Sequence, residues 1–341
     1  MFNESKPREL WADYAKAIAI WLMVFAHVGI SRNVQTVIHV FHMPLFFYVA
    51  GYFDKGSLGI VEIVRKNIRY LMVPYFCFSL FSLTFAWQYP YKHPEFYPRI
   101  STLSEYIKVA LMGIIRMEDK VLPGSFLPNL ALWFLPCLFL VKLLFALLCK
   151  IKQHYSFNNA YWGVLLILPV LIFPYLIPIN WFSVDSAFMA LPLYIVGYLS
   201  KEYKLVNYIQ KRKSVLLIVT LLYTAFLAPM NDMVNMDGGY AGNNIFFFYF
   251  NAIVGILMII SFVNFNIFTP NGLVAYIGKN TLVVLGLHLL FISFYKLFAY
   301  MIFDKINDMT ALIISILVIV SLIPVIKFIN KYIPFVIGKV K

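Results

Sequence analysis

Ten apolar runs, each about long enough to cross a lipid bilayer, are the feature that most limits what this chain can fold into. A membrane-spanning helix needs roughly 20 mostly apolar residues. Only 13% of the 341 residues are charged and 62% are hydrophobic, whereas a soluble domain carries about 25% charged residues, so a water-soluble globule is excluded. We therefore predict an all-α polytopic membrane protein with about ten transmembrane helices, forming a single domain over residues 1–341 with no additional soluble domain. The predicted spans are 10–30, 34–53, 70–87, 130–149, 161–179, 184–200, 215–230, 244–263, 281–303 and 310–329.

The distribution of basic residues predicts how these spans are oriented. With the N-terminus inside, the cytoplasmic segments hold 17 lysines and arginines and the outer segments hold 7. Cytoplasmic segments of membrane proteins carry an excess of Lys and Arg. We therefore predict that the N- and C-termini are both cytoplasmic. The same distribution accounts for the net charge of +13 without a nucleic-acid partner.

The first span carries three ionisable side chains, Asp13, Lys16 and His27. An ionisable group inside a membrane is costly and therefore marks a candidate functional site. Lys16 and His27 are eleven residues apart, which places them about 20° apart around a helix and roughly 16 Å apart along its axis. Asp13 precedes Lys16 by three residues, close enough for an ion pair. These three side chains are either a functional face or a surface ion pair with a packing histidine.

Three further histidines lie in the predicted spans. His39 and His42 are three residues apart, but the third and fourth ligands that a zinc site needs are not nearby, so no metal site is predicted. One imidazole of this pair is expected to face a wet cavity. His288 lies at mid-depth in the ninth span, where an imidazole needs a hydrogen-bond partner or water. A structural contact between helices is the alternative to a functional role for His288.

A cluster of three cations, Arg65, Lys66 and Arg69, precedes the third span. Guanidinium and ammonium groups bind phosphates, so the cluster suits a polyphosphate ligand. Anchoring at anionic lipid headgroups is the alternative. The longest segment between spans, 88–129, contains an amphipathic stretch at 103–116, which predicts an interfacial helix or part of a cover over a site.

Six segments of the sequence, in this order, resemble the signatures of the membrane-bound acyltransferase family 3. These are the bacterial polysaccharide O-acetyltransferases, including a subgroup similar to fucose 4-O-acetylases, to which this chain is expected to belong. In the family's first helix a basic residue precedes a histidine with ten residues between them. Here these are Lys16 and His27, and Lys16 stands where the family usually has Arg. The six segments are RELWADYAKAIAIWLMVFAHV, FHMPLFFYVAGYF, RKNIRYLMVPY, LWFLPCLFLV, DSAFMALPLYIVGYL and YIGKNTLVVLGLHLLF.

The resemblance implies an O-acyltransferase, usually an O-acetyltransferase, in the bacterial plasma membrane. It implies acetyl-CoA or another acyl-CoA as the cytoplasmic co-substrate, and no permanently bound cofactor. The implied acceptor is a sugar hydroxyl of a cell-surface polysaccharide or of its undecaprenyl-linked precursor. The lipid bilayer is the remaining partner, and no nucleic acid is expected.

The resemblance also implies roles for individual residues. His27 is expected to act as the general base on the sugar hydroxyl or to carry the acyl group transiently. Lys16, held by Asp13, completes the predicted catalytic set. The predicted acyl-CoA-binding residues are Arg69, with Lys66 and Arg65 as alternates, and the candidates for lining the acceptor cavity are His42, Trp133, Asn280 and His288.

A transporter or flippase of lipid-linked sugars is the alternative function. Such a protein would share the spans, the buried charges and the high aromatic content. It would not need the six signature segments or a base near the outer face.

Overall fold

The described part of the chain folds into a bundle of helices. The structure, a computed structural model, describes residues 9–56, 59–86, 102–117, 127–159, 161–166, 182–265 and 267–339. Within these ranges the β-type pairing is one isolated antiparallel bridge between Asn235 and Tyr240. The helices are α1 (Leu10–His27), α2 (Arg32–Tyr52), α3 (Ile60–Asn67), α4 (Val73–Ala86), α5 (Leu103–Arg116), α6 (Phe134–His154), α7 (Val184–Glu202), α8 (Leu205–Lys211), α9 (Lys213–Phe226), α10 (Ile245–Val263), α11 (Leu273–Lys279), α12 (Thr281–Ile302) and α13 (Asp308–Tyr332).

Six helical segments within these described ranges are long and apolar enough to cross a membrane. The prediction of an all-α membrane fold is confirmed at this level, and the count of ten spans stays a prediction. Helices α1 and α7, also predicted as spans, have 18 and 19 residues. Most of the predicted span at 161–179 lies outside the described residues. The six segments are Arg32–Tyr52, Ile60–Ala86, Leu130–His154, Ile245–Val263, Thr281–Ile302 and Asp308–Tyr332.

The helical segment Ile60–Ala86 begins earlier than the predicted span at 70–87. Helix α3 continues through a π turn at Ile68–Met72 into α4, so that the segment starts at Ile60. Proline has no N–H to donate to the preceding turn, and a wider turn accommodates the missing bond. Pro74 lies two residues after this π turn. The amphipathic stretch predicted at 103–116 is helix α5. Of the rest of the segment at 88–129, the structure describes Thr102, Met117 and residues 127–129.

Contacts at both ends of the bundle show that α1 runs antiparallel to α7 and α13. Glu9, just before α1, pairs with Lys201 near the C-terminus of α7 at 2.6 Å. Beyond the other end of α1, the backbone N–H and hydroxyl of Ser31 donate to the carboxylate of Asp308 at the start of α13, each at 2.6 Å. We call these two ends of the bundle the Lys16 end and the His27 end, after the candidate residues of α1 on each side.

Two glycines allow α2 and α7 to pack backbone against backbone. A Cβ atom added to Gly51 would overlap the carbonyl group of Tyr194, and one added to Gly197 would overlap the carbonyl group of Tyr48. Small residues permit such close approach between membrane helices. This contact fixes the position of α2, which carries several residues of the candidate site described below.

We expect Gly51→Ala to lower the melting temperature of the purified protein in detergent. The added methyl group must push α2 away from α7, and overpacking of this kind costs about 1–3 kcal/mol. Gly59→Ala is the matched control, because nothing lies within 4 Å of a Cβ atom at Gly59. A melting temperature for Gly51→Ala equal to that of the wild type would show that α2 and α7 do not pack this closely.

Candidate active site

The larger of two neighbouring cavities is lined by three lysines. It has a volume of about 430 Å³, and Lys16, Lys66 and Lys142 line it together with apolar side chains from α1, α2, α6 and α12. Lys66 is exposed, whereas the side chains of Lys16 and Lys142 are 25% and 23% exposed. We call this space the lysine cavity. Three ammonium groups beside one cavity make it suited to an anionic ligand.

The smaller cavity is lined by three histidines. It has a volume of about 70 Å³, and its walls include His27, His39, His42, Trp133 and Asp237. We call this space the histidine cavity. Its walls contain imidazole, carboxylate and indole groups, so the cavity is suited to a polar ligand.

One face of α1 connects the two cavities. Lys16 and Ile20 line the lysine cavity, and Met23 and His27 line the histidine cavity. The spacing of these positions keeps them on one side of a helix with about 3.6 residues per turn. The placement of Lys16 and His27 on one face, predicted from the helical period, is present in the structure.

Helix α2 presents a matching face that runs in the opposite direction. His39 and His42 line the histidine cavity, while Phe46 and Ala50 line the lysine cavity. Met43 lines both cavities, as does Leu285 on α12. The two cavities are therefore adjacent and share these two side chains as a wall.

Two of the lysines are balanced by carboxylates. The ammonium group of Lys16 lies 3.0 Å from the carboxylate of Asp13, which forms the predicted ion pair. Lys142 donates to the hydroxyl of Tyr194 at 3.3 Å and lies 3.9 Å from the carboxylate of Asp54. The Tyr194 hydroxyl in turn donates to Asp54. With Lys66 included, three cations face two carboxylates, so the lysine cavity keeps an excess of positive charge.

Lys142 was not among the predicted site residues. It lies within the apolar run FLPCLFLVKLLFALLCK and faces the lysine cavity beside Lys16 and Lys66. The signal that could have found it is the one used for the first span, because an ionisable group inside a membrane segment is itself a candidate functional residue.

The helix backbone orients the imidazoles of His27 and His42. Nδ1 of His27 lies 2.8 Å from the carbonyl oxygen of Met23, and Nδ1 of His42 lies 2.8 Å from that of Ile38. A carbonyl oxygen only accepts hydrogen bonds, so we infer that Nδ1 carries the proton and that Nε2 of the neutral ring holds the free lone pair. A general base or a nucleophile needs such a lone pair in a fixed position.

His27 is the most accessible of the three cavity histidines. It is exposed, His39 is half-buried, and His42 is buried at 4%. This difference in exposure makes His27 the first candidate among the three for the reactive imidazole.

A loop at residues 232–244, which we call the cap loop, closes the histidine cavity. It supplies Asp237, which interacts electrostatically with both His27 and His39. Its Val234 carbonyl lies 3.1 Å from Nδ1 of His39. The predicted site did not include Asp237, since the acid is 210 residues from His27 and only the folded loop brings it to the cavity.

Hydrogen bonds hold the cap loop in place. The side chain of Asn231 donates to the carbonyl of Ala241 at 2.8 Å and accepts from the N–H of Asn244 at 2.9 Å. Ser186 on α7 donates to the Asp237 carbonyl at 3.1 Å. At the edge of the loop, the backbone N–H of Met233 and the guanidinium of Arg32 hold the pKa of Asp232 below its usual range. The carboxylate of Asp237 is therefore presented by an ordered backbone.

The sequence profile of the acyltransferase domain of family 3 matches residues 9–328. The chain belongs to acyltransferase family 3. The match covers both cavities, because every side chain named above as lining them lies inside it. No curated protein and no solved structure matches the chain.

Membership of family 3 makes this chain a membrane enzyme that transfers acyl groups. It confirms the predicted family and the prediction of an acyltransferase, and the O-acetyl specificity stays a prediction. The subgroup similar to fucose 4-O-acetylases stays a prediction. Family membership also favours catalysis over the transporter alternative.

Two of the other predicted residues of this family 3 acyltransferase make structural hydrogen bonds within the protein. The guanidinium of Arg69 donates to the carbonyl of Gly338 at 2.9 Å. The side chain of Asn280 donates to the carbonyl of Tyr276 and accepts from Asn330. Arg65 lies on the exposed surface of α3. Among the three predicted phosphate ligands, the structure thus places Lys66 in the wall of the lysine cavity.

The fully buried His288 lies directly behind His27. The two rings meet edge to face, with centroids 5.1 Å apart and planes at 81°. Nδ1 of His288 lies 3.0 Å from the carbonyl oxygens of both Val284 and Leu285. His288 therefore supports the ring of His27 by packing against it.

Metal coordination was not predicted for the histidines of this enzyme. Among the described residues, no group of three or more His, Cys, Asp and Glu side chains is arranged to hold a metal ion. The absence of a metal from the reaction stays a prediction.

Proposed function

We propose that this family 3 acyltransferase is an O-acyltransferase that uses acyl-CoA, and acetyl-CoA in particular, to acylate a sugar hydroxyl. The donor binds in the lysine cavity and the acceptor hydroxyl in the histidine cavity. The observation that carries the proposal is the single face of α1 on which Lys16 and His27 line the two neighbouring cavities. A cytoplasmic donor and a cell-surface acceptor require such a connection through the membrane.

The proposed orientation places the Lys16 end in the cytoplasm of a bacterium and the His27 end at the outer face of its plasma membrane. The excess of lysine and arginine in segments on the Lys16 side supports this orientation. It places both termini in the cytoplasm, as predicted for ten spans. The acceptor would then be a cell-surface polysaccharide or its undecaprenyl-linked precursor.

The charge of the lysine cavity supports acyl-CoA as the donor. The phosphates of CoA would lie against Lys66 and Lys142, whose ammonium groups attract phosphate without the fixed geometry of arginine. Apolar side chains such as Phe46 and Leu138 line the rest of the cavity and suit the uncharged arm that carries the thioester. Acyl-CoA enters as a co-substrate and leaves as free CoA.

The histidine cavity supports general-base catalysis. His27 Nε2 takes the proton of the sugar hydroxyl while its oxygen attacks the thioester carbonyl carbon. The new carbon–oxygen bond forms, the carbon–sulfur bond breaks, and His27 returns the proton to the CoA sulfur. The negative charge of Asp237 stabilises the imidazolium that exists between these two transfers. Trp133 offers an aromatic ring against which a sugar can pack.

The proposed function predicts an alkali-labile acyl ester on a surface polysaccharide of cells that carry the gene. We expect NMR and mass spectrometry to detect this ester in the wild type and to find it missing when the gene is deleted. Re-expression of the wild-type enzyme should restore it, whereas the His27→Ala variant should not. The position of the ester would name the acceptor hydroxyl.

Two other results would contradict the proposal. Unchanged acylation together with lost or shortened polysaccharide would favour transport of lipid-linked sugars. Unchanged acylation with unchanged polysaccharide would show that the acceptor is not a surface glycan.

A further inference from the structure

We propose that Met43 and Leu285 form the passage between the lysine and histidine cavities and limit the length of the acyl chain that the enzyme transfers. This inference rests on the proposed function. It assigns acyl-chain selection to two apolar side chains that carry no reactive group. Both are almost fully buried, at 8% and 6% exposed.

The position of the two side chains carries the inference. Met43 on α2 and Leu285 on α12 are in the walls of both cavities. A thioester that enters through the lysine cavity must therefore pass between them before its carbonyl carbon comes within reach of His27. We call this pair of side chains the septum.

The sizes of the two cavities explain why the septum selects for chain length. The lysine cavity has about 430 Å³ and the histidine cavity about 70 Å³. One water molecule needs about 10–15 Å³ of such volume, so the histidine cavity holds the acceptor hydroxyl and only a few further atoms. When the carbonyl carbon lies at the septum, a methyl group fits beyond it. A longer alkyl chain needs room that the septum side chains occupy.

The side chains of the septum are also able to change conformation without a change of fold. Methionine is unbranched and adaptable in shape. The following residue, Pro44, has no N–H to donate to the carbonyl of Val40, so α2 lacks one helical hydrogen bond beside Met43. In α12, the carbonyl oxygen of Leu285 lies 3.0 Å from Nδ1 of His288, and the ring of His288 packs against His27. The shape of the septum and the position of the base are thus connected.

The septum leaves the chemistry of transfer unchanged. For every chain length the carbonyl carbon exchanges its bond to sulfur for a bond to oxygen, and the hydroxyl proton passes through His27 to the sulfur. Chain length changes only whether the carbonyl reaches His27. The two side chains therefore affect the relative rates of different acyl-CoA substrates.

The test compares acetyl-CoA with butyryl-CoA in purified enzyme, with the acceptor named by the ester analysis above. We expect Met43→Ala and Leu285→Ala to raise the ratio of kcat/KM for butyryl-CoA over acetyl-CoA at least tenfold, since one methylene group in a fitted pocket changes kcat/KM by about 10–200-fold. Leu297→Ala is the matched control. Leu297 lies on the exposed surface of α12 and lines neither cavity, so its loss should leave the ratio unchanged.

A second variant tests the opposite change. Leu285→Phe should narrow the passage and lower transfer from acetyl-CoA at least tenfold, while the Kd for acetyl-CoA changes less than the transfer rate, because the phosphates of CoA bind at Lys66 and Lys142. If an alanine variant does not fold, Leu285→Val gives the same test with a smaller increase in the ratio.

The outcomes separate this inference from the proposed function. Transfer by the wild type with an unchanged butyryl to acetyl ratio in folded septum variants would overturn the inference and leave the proposed function standing. Absence of transfer from any acyl-CoA by the folded wild-type enzyme would overturn both.

Discussion

Replacing His27 by alanine is expected to lower the kcat for acyl transfer by about 10²–10⁴-fold, the usual contribution of a positioned general base. The imidazole is exposed and lines the histidine cavity, and its Nδ1 bonds to the carbonyl of Met23 in its own helix. Its loss should therefore remove the proton acceptor without unfolding the protein. The measurement is steady-state acyl transfer by purified enzyme, with size-exclusion chromatography as the check on folding.

His154→Ala is the control for the His27 variant. His154 is an exposed histidine at the C-terminal end of α6, so we expect wild-type kcat. Transfer by folded His27→Ala at the wild-type rate would refute the assigned role. An acyl group that becomes attached to wild-type protein in the absence of acceptor, and is missing in His27→Ala, would show that His27 carries the acyl group instead of acting as a base.

Replacing Lys142 by methionine is expected to raise the KM for acyl-CoA about tenfold or more. A hydrogen bond to a charged group contributes about 1.5–3 kcal/mol, and each 1.4 kcal/mol corresponds to about a tenfold change in affinity. Methionine keeps most of the side-chain length and removes the ammonium group. Tyr194 still donates to Asp54 in this variant, so that carboxylate keeps one partner. The measurement is the KM for acyl-CoA at saturating acceptor.

Lys16 offers a matched pair of variants for the same cavity. Lys16→Arg should retain most of the activity because it keeps the charge beside Asp13, whereas Lys16→Met should lose it. Lys296→Met is the control for the methionine variants of Lys142 and Lys16. Lys296 lies in α12 near Gly29 at the His27 end, so its replacement should not change the KM for acyl-CoA. An unchanged KM in Lys142→Met would place the phosphates elsewhere, with the cluster around Arg65 and Arg69 as the next site to test. Equal activity of Lys16→Met and Lys16→Arg would make Lys16 a structural anchor.

The helices and the polar face of α1 were predictable because they depend on local periodicity. An apolar run of about 20 residues has few alternatives to a membrane helix. The period of about 3.6 residues per turn then places Lys16 and His27 on one side. The pairing of Asp13 with Lys16 follows from the same geometry, since residues three apart are neighbours on a helix.

The members of the site that come from other elements could not be predicted in this way. Lys142 reaches the lysine cavity only because α6 packs beside α3 and α7. Asp237 reaches the histidine cavity because Asn231 and Ser186 hold the cap loop over it. Arg69 looked like the best phosphate ligand in the sequence, but the fold brings the Gly338 carbonyl to its guanidinium. In each case the partner is distant in sequence, so no local spacing reports it.

The sequence by itself determined that this chain is a helical membrane protein with an acid, a base and an imidazole on one face of its first helix, since lipid excludes unpaired backbone groups and the helical period is fixed by backbone geometry. Only the tertiary structure decided that this face runs through two separate cavities, one lined by lysines and one by histidines. Met43 and Leu285, two apolar residues among many in the sequence, line both cavities. The packing of α2 and of α12 against α1 brings these two side chains to the boundary of both cavities, because the shape of an interior depends on which side chains meet across helices.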